Sequence, residues 1–305
     1  MKPAVGVIGL GIMGGAMAEV LCAAGYKVCG YDPAPGARRR LKRAGGTPLA
    51  SAAAVARNSA VVIVSLATVR ALDAVSSEIA AAAFPKKTAS RKPLVVETST
   101  LPIADKVRAA KLLAGAGMRT LDCPISGTAV RMKEGAWTIF VSGDAAAARK
   151  VKDIFAEFTR NAPYVGAFGN GMRMKFIANH MVAIYNVAVA ESITFARKMG
   201  LDAQQVWNLF AASPVIGNGV FKLRGKFMVE RKYLPATMKV EVWQKDMQVI
   251  GDMAKAVDCP TPLFAACGPI FNAAMAQGFS RHDTASVCEV LDAMAGGTGK
   301  AKGKR

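Results

Sequence analysis

The chain has 305 residues, 52% of them apolar, and 40 lysines and arginines against 21 acidic residues give it a net charge of +19. That length holds two domains with ample core, and no run of eighteen apolar residues escapes polar interruption, which argues against a membrane span. Two histidines are too few for a histidine-based metal site, and no metal is expected.

The six cysteines form no Cys-x-x-Cys pair and read as reduced core thiols of a cytoplasmic protein. The N-terminus enters a strand pattern at once, with no cleavage region of a signal peptide. The basic excess includes one dense run, Arg38-Arg39-Arg40 with Lys42-Arg43, and a Gly-rich tail carrying Lys300, Lys302, Lys304 and Arg305. Such charge fits nucleic acid, anionic small molecules or plain solubility. It is not interleaved with aromatics, so it does not by itself single out nucleic acid.

In chain order, residues 4–9 read as a buried parallel strand. Gly9-x-Gly11-x-x-Gly14 follows and opens an Ala-rich helix to about residue 24. A second strand, 27–31, ends at Asp32. In this arrangement Gly9 makes the tight turn, Gly11 admits a pyrophosphate against the backbone, and Gly14 lets helix and strand pack closely. The anion then sits at the helix N-terminus. Gly9, Leu10, Gly11, Ile12, Met13 and Gly14 are therefore candidate cofactor residues. Asp32, eighteen residues past Gly14, is placed to accept the ribose hydroxyls. Strands at 60–66, 94–97, 118–122 and 138–141 follow, with helices after Thr68 and over 144–158. Strand ends in a doubly wound sheet face the ligand crevice, which puts Leu66, Ala67 and Thr100 near the cofactor.

Past Pro163-Tyr164-Val165-Gly166 strand signals stop. Helical periodicity covers 170–199, 203–212, 218–226, 238–257, 261–277 and 284–294. The expected fold class is α/β: an N-terminal Rossmann doubly wound sheet (1–164), an all-helical C-terminal domain (165–295) for substrate and dimerisation, and a basic tail (296–305) of disordered composition. In the long helix, Phe176, Ile177, Met181, Val182, Ile184, Val187 and Val189 predict burial on several sides. Lys175 is anomalous there, with Asn179 one turn on along the same face. A lysine near a helix end can snorkel. A buried one has a lowered pKa, which suits proton transfer. His180 points about 100° away from Asn179 and reads as packing. Glu191 reads as a structural interdomain hydrogen-bonding group, Trp137, Trp207 and Trp243 as packing residues, and Met172, Met174, Met181 and Met199 as core.

Four stretches together resemble the β-hydroxyacid dehydrogenase family, which includes 3-hydroxyisobutyrate dehydrogenases and tartronate semialdehyde reductases. They are Gly9–Gly14, Asp122-Cys123-Pro124-Ile125-Ser126-Gly127-Thr128, Gly169-Asn170-Gly171 with Lys175 and Asn179, and Lys245-Asp246. The resemblance implies that Lys175 exchanges a proton with the substrate hydroxyl as hydride passes to or from a nicotinamide. It implies that Ser126, Gly127 and Thr128 hold the substrate carboxylate, that Asn179 bonds the substrate, and that Lys245 reaches into the cofactor or substrate site while Asp246 orients that region. Thr128, Met132, Ala67 and Met238 depart from the family's usual residues and lie around the pocket.

The expected cofactor is NAD, because Asp32 repels a 2′-phosphate, although the nearby arginines keep NADP open. The expected partners are a small anionic hydroxy acid and further copies of the chain, as a dimer or tetramer, with no membrane and no nucleic acid. Two alternatives are an NADPH-dependent semialdehyde or glyoxylate reductase and a noncatalytic nucleic-acid-binding relative.

Overall fold

A computed structural model describes residues 2–84, 92–127, 135 and 137–296. In chain order they form β1 (Val5–Ile8), α1 (Ile12–Ala23), β2 (Val28–Tyr31), α2 (Pro35–Arg43), β3 (Thr47–Pro48), α3 (Ala52–Arg57), β4 (Val61–Val64), α4 (Val69–Ala80), β5 (Leu94–Glu97), α5 (Ile103–Gly115) and β6 (Thr120–Asp122). Then come β7 (Ile125–Ser126), β8 (Thr138–Ile139), α6 (Ala145–Lys150), α7 (Lys152–Ala156) and α8 (Asn170–Lys198). Only helices follow: α9 (Ala203–Ala212), α10 (Lys226–Glu230), α11 (Val240–Ala256), α12 (Pro262–Ala276) and α13 (Val287–Met294). The chain divides into two compact units, Met1–Lys175 and Phe176–Arg305, and the division falls inside α8.

In the first unit six parallel strands run in the order β3-β2-β1-β4-β5-β6. The middle strands β1, β4 and β5 are buried along their whole length, as sequences such as Val-Val-Ile-Val require when helices cover both sheet faces. Leu10, Met17, Leu21, Leu41, Trp137 and Phe158 pack on one face. Val55, Leu72, Ile79, Leu101 and Leu113 pack on the other. Strand order reverses between β1 and β4, the switch point at which such sheets open a ligand crevice. The residues expected as a strand over 138–141 lie outside this sheet. Thr138 and Ile139 instead pair antiparallel with Ser126 and Ile125 as β8 and β7. The helix expected over 144–158 is broken at Val151, whose ψ of 0° departs from helical values, and it continues as α7.

In the second unit α8 is buried along one stripe, not on several sides. Phe176, Asn179, Ala183, Asn186, Ala190 and Ile193 recur at three- and four-residue steps and face inward. Ile177, Met181, Phe195 and Met199 are exposed, so the expectation of burial on several sides fails, and Met174 is exposed as well. The reason is periodicity: apolar residues on α8 outnumber the positions that its packed face provides. By length and composition α8 alone among the described helices resembles a membrane span. Its inward stripe carries Asn179, Asn186 and Thr194, and Asn186 Nδ2 donates to Thr284 O at 2.9 Å and Thr194 Oγ1 to Asp292 Oδ1 at 2.7 Å, which marks a core helix. The expected helix at 218–226 is a π-helical turn, Phe221–Gly225, running into α10.

A buried ion pair and the hydrogen bonds around it tie the π-helical turn before α10, and Thr237 after α10, to Asp283 ahead of α13. Arg224 pairs with Asp283, which also accepts from Thr237 N (2.8 Å), Thr237 Oγ1 (2.7 Å) and Ala285 N (3.0 Å). Burial opposes the Asp283 charge, but Arg224 and these donors more than offset it and hold its carboxyl below the ordinary value of 3.8. A depressed folded pKa means stability fully present above the unfolded value and lost as pH falls through the folded one. Asp283→Ala, which strands Arg224, is expected to cost about 3–5 kcal/mol in chemical denaturation at pH 7. The difference between wild type and variant should shrink below pH 3.8, and a difference independent of pH would show that the ionic network is not its source.

Candidate active site

The ligand edge of the first unit is assembled from four strand ends. Gly9 adopts φ +85°, and a Cβ added there would meet Ser65 O at 2.1 Å; one on Gly14 would meet Gly9 O at 1.9 Å. Both positions therefore require glycine, and the turn is pressed against the end of β4. A Cβ on Gly11, by contrast, meets nothing within 4 Å. Gly11 is the N-cap of α1 and supplies no side-chain cap, and no acid lies in the first turn. A helix that starts so leaves its first N–H groups and dipole to an anion, which fits a cofactor pyrophosphate. Ile12 stands exposed in that turn and Leu10 is buried beneath it.

Asp32 faces the same turn. Its Oδ2 accepts from Leu10 N and its Oδ1 from Ala34 N, both at 2.8 Å. Two of the arginines that follow, Arg38 and Arg40, donate to the backbone. Arg38 Nη1 donates to Asp32 O at 2.5 Å and Pro33 O at 3.0 Å, and Arg40 Nη2 to Leu10 O at 3.2 Å. The Leu10 backbone is thus held at both its N–H and its carbonyl. Leu66 N donates to Ser99 Oγ at 2.8 Å, which joins the turn after β4 to the Thr98-Ser99-Thr100 turn after β5. Leu66, Ala67 and Thr100 accordingly sit together on this edge, beside Gly9 and Gly14.

Next to it lies a charged cluster that reading the sequence missed. Glu97 and Asp122 are register partners at the ends of β5 and β6, both fully buried. Lys106 of α5 lies between them. Its Nζ pairs with Glu97 Oε2 at 2.6 Å and with Asp122 Oδ1, and donates to Ser99 O at 3.0 Å. Burial disfavours the ammonium, but the two carboxylates more than compensate and raise the Lys106 pKa. The signal was available: adjacent parallel strands each ending on an acid cannot bury both without a cation.

The other oxygen of Asp122 reaches α8. Asp122 Oδ2 accepts from Met172 N at 2.9 Å and from Ser142 Oγ at 3.1 Å, and Ser142 Oγ accepts from Gly171 N at 2.9 Å. A Cβ on Gly171 would fall 2.5 Å from Phe140 O, 2.7 Å from Asp122 O and 2.9 Å from Pro124 Cδ, so glycine alone permits this approach. Lys175, buried, stands one turn further along α8. Ser126 and Gly127 follow Pro124 on β7 and its turn, with Gly127 backed by the buried Trp137 indole. Thr128 and Met132 lie outside the described residues.

In the second unit Asn179 is buried, and its Nδ2 donates to Asp246 Oδ2 at 3.0 Å. Lys245 Nζ lies 3.7 Å from Asp246 Oδ1. The Lys-Asp pair of α11 and the asparagine of α8 are therefore one cluster, which orients the Asn179 amide. His180 stacks on Phe264 with centroids 5.2 Å apart, a packing role. Glu191 is exposed rather than a structural hydrogen-bonding group. Trp137 and Trp243 are buried against Phe158 and Phe271.

Comparison with known proteins agrees with this geometry. Residues 4–166 match the NAD binding domain of 6-phosphogluconate dehydrogenase, and residues 169–291 match the NAD-binding domain of NADP-dependent 3-hydroxyisobutyrate dehydrogenase. The chain is 30% identical over 296 residues to an L-threonate dehydrogenase of Cupriavidus necator, covering 95% of this chain and 97% of that protein. It is likewise 30% identical over 295 residues to a 2-hydroxy-3-oxopropionate reductase of Escherichia coli, with the same coverage. In structure it resembles a Mycobacterium tuberculosis 3-hydroxyisobutyrate dehydrogenase solved with L-serine, at a TM-score of 0.82 and 25% identity over 95% of this chain and 99% of that one. A glycine turn with an open helix start, and a second family match that begins where α8 begins, leave one assignment: the chain belongs to the 3-hydroxyisobutyrate dehydrogenase family of NAD(P)-dependent hydroxy-acid dehydrogenases.

Proposed function

We propose that the chain interconverts a small β-hydroxy acid of the 3-hydroxyisobutyrate type and its semialdehyde, with Lys175 as general acid and base and NAD as the preferred cofactor. One observation carries this reading. The first turn of α8 is pressed on the Asp122–Pro124 segment at Gly171, so the stretch leading to Ser126 and the turn leading to Lys175 are in direct contact. An anion-holding loop and a buried lysine so joined suit one small hydroxy acid.

In this reading the first turn of α1 holds the pyrophosphate, with Gly9, Leu10, Gly11, Ile12, Met13 and Gly14 shaping the cradle. Asp32 accepts the ribose hydroxyls with lone pairs left over from its two backbone bonds. Leu66, Ala67, Thr100 and Lys245 flank the remainder of the cofactor. Bound NAD(P) supplies the hydride acceptor and donor. Ser126, Gly127 and Thr128 hold the substrate carboxylate, and Asn179, oriented by Asp246, donates or accepts at the substrate hydroxyl. Lys175 takes the hydroxyl proton in oxidation, returns it in reduction, and stabilises the alkoxide between. The exposed Ile177, Met181, Phe195 and Met199 support a homo-oligomer. Free thiols at all six cysteines support a cytoplasmic setting. An initial-rate screen of hydroxy acids and semialdehydes with both cofactors tests the whole reading; absence of turnover with every small hydroxy acid would defeat it.

Lys175→Ala is expected to lower kcat by roughly 10²–10⁴-fold while cofactor affinity holds, the scale of a positioned acid–base group. Near-normal kcat removes Lys175 from the chemistry. Ser126→Ala should raise KM for the acid more than KM for NAD(H). An amide analogue turned over as well as the acid would remove the anion-holding role of this loop.

Cofactor choice is testable by kcat/KM for NAD and NADP at one pH and moderate salt. Arg38 and Arg40 are oriented by backbone carbonyls, while the Asp32 carboxylate faces the glycine turn and repels a 2′-phosphate. NAD should be preferred, and Asp32→Ser should narrow the preference. Higher wild-type efficiency with NADP, or a preference unmoved in Asp32→Ser, contradicts the assignment.

A further inference from the structure

Hydrogen bonds run without a break from the turn that flanks the cofactor edge to the helix that carries Lys175. Leu66 N donates to Ser99 Oγ (2.8 Å), and Ser99 N to Glu97 Oε1 (2.9 Å). Lys106 gathers Ser99 O, Glu97 Oε2 and Asp122 Oδ1. Asp122 Oδ2 and Ser142 Oγ then take the Met172 and Gly171 N–H groups. Every side chain in this sequence is buried, and all belong to the first unit. Two carboxylates face one ammonium, so one negative charge is left over. The N–H groups that Gly171 and Met172 donate, with the dipole at the start of α8, supply the compensation. The helix start is therefore fixed electrostatically as well as by hydrogen bonds. Met172 Sδ, 3.7 Å from Lys106 Nζ, seals the cluster from the side.

From this we infer that Asp122, Lys106, Glu97 and Ser142 are positioning residues of the reaction: they set the rotation and height of the first turn of α8 and thereby place Lys175 against the substrate held beside Ser126. The inference rests on Lys175 as the acid–base group. Lys175 lies three steps past Met172, about 4.5 Å of rise on an α-helix, so a shift at the anchored N–H groups passes to the lysine through rigid helix. A purely structural ion cluster would be placed with equal profit anywhere in the core. This one ends on the backbone of the turn before Lys175 and begins on the turn that flanks the cofactor edge.

The test uses the full chain with NAD and, as probes, 3-hydroxyisobutyrate, L-threonate and glyoxylate with NADH. Asp122→Asn keeps an acceptor and removes the charge; Ser142→Ala removes a single oxygen. Both should keep NADH affinity and lower kcat by about 10- to 100-fold, the scale of an ångström of misplacement. Both should also raise the solvent deuterium isotope effect on kcat, because proton transfer is the step put out of line. Faster amide exchange over residues 171–176 should accompany the loss. A role in stability alone would lower the melting temperature and leave the isotope effect untouched. Should Asp122→Asn fail to fold, Ser142→Ala decides the matter by itself. Folded variants with wild-type kcat, isotope effect and exchange overturn the positioning role, and if Lys175→Ala is then inactive the acid–base reading still stands. An active Lys175→Ala overturns both.

Discussion

The helix that runs through both compact units begins on a carboxylate. Asp122 closes β6, is fully buried, and offers one oxygen to Lys106 and the other to the first turn of α8. Neither half of that arrangement holds without the other. Without Lys106, Glu97 and Asp122 would stand side by side as buried like charges. Without the α8 N–H groups, the surplus charge of the trio would have no compensation. A sheet built from uninterrupted apolar strands thus ends in a short ionic seam, and the seam is where the α/β unit hands the chain to the helices.

The second unit uses charge in another way. Arg197 and Arg231 converge on Asp292, Arg231 and Tyr233 on Glu289, and Arg224 on Asp283. These pairs connect α8, the turns on either side of α10 and the residues of and before α13, and they work beside backbone bonds such as Asp283 N to Tyr233 O and Val240 N to His282 O. Burial and the neighbouring Glu289 hold the Tyr233 hydroxyl far above its ordinary value, so Tyr233 remains a donor across the whole working range of pH.

How much of this was legible follows from what each feature depends on. The glycine turn, the strand before it and Asp32 are local, and their spacing alone implied the crevice edge. The succession of helices after residue 164 was equally plain from periodicity. What periodicity could not tell was which apolar residues of α8 face inward, because Ile177 and Phe176 are equally apolar and neighbours in sequence, yet one is exposed and the other buried. The β7–β8 pairing was invisible for a related reason: two-residue strands carry no pattern of their own. The ionic seam joins residues 97, 106, 122, 142 and 172, and only the register of β5 against β6 brings them together. Lys175 stood out because it is a charge on an apolar helix; Lys106 did not, because α5 is amphipathic and a lysine there looks solvated.

The bond from Leu10 N to Asp32 has a consequence for evolvability. One carboxylate both faces the cofactor edge and supplies the acceptor for the peptide at the centre of the glycine turn. These two properties cannot drift apart freely. A lineage, or an engineer, that trades Asp32 for a small apolar residue to welcome a phosphorylated ribose also unhooks the turn on which any dinucleotide must rest. Asn or Ser at this position would keep a side-chain oxygen for Leu10 N, whereas Ala or Gly would require a second, compensating change elsewhere in the turn.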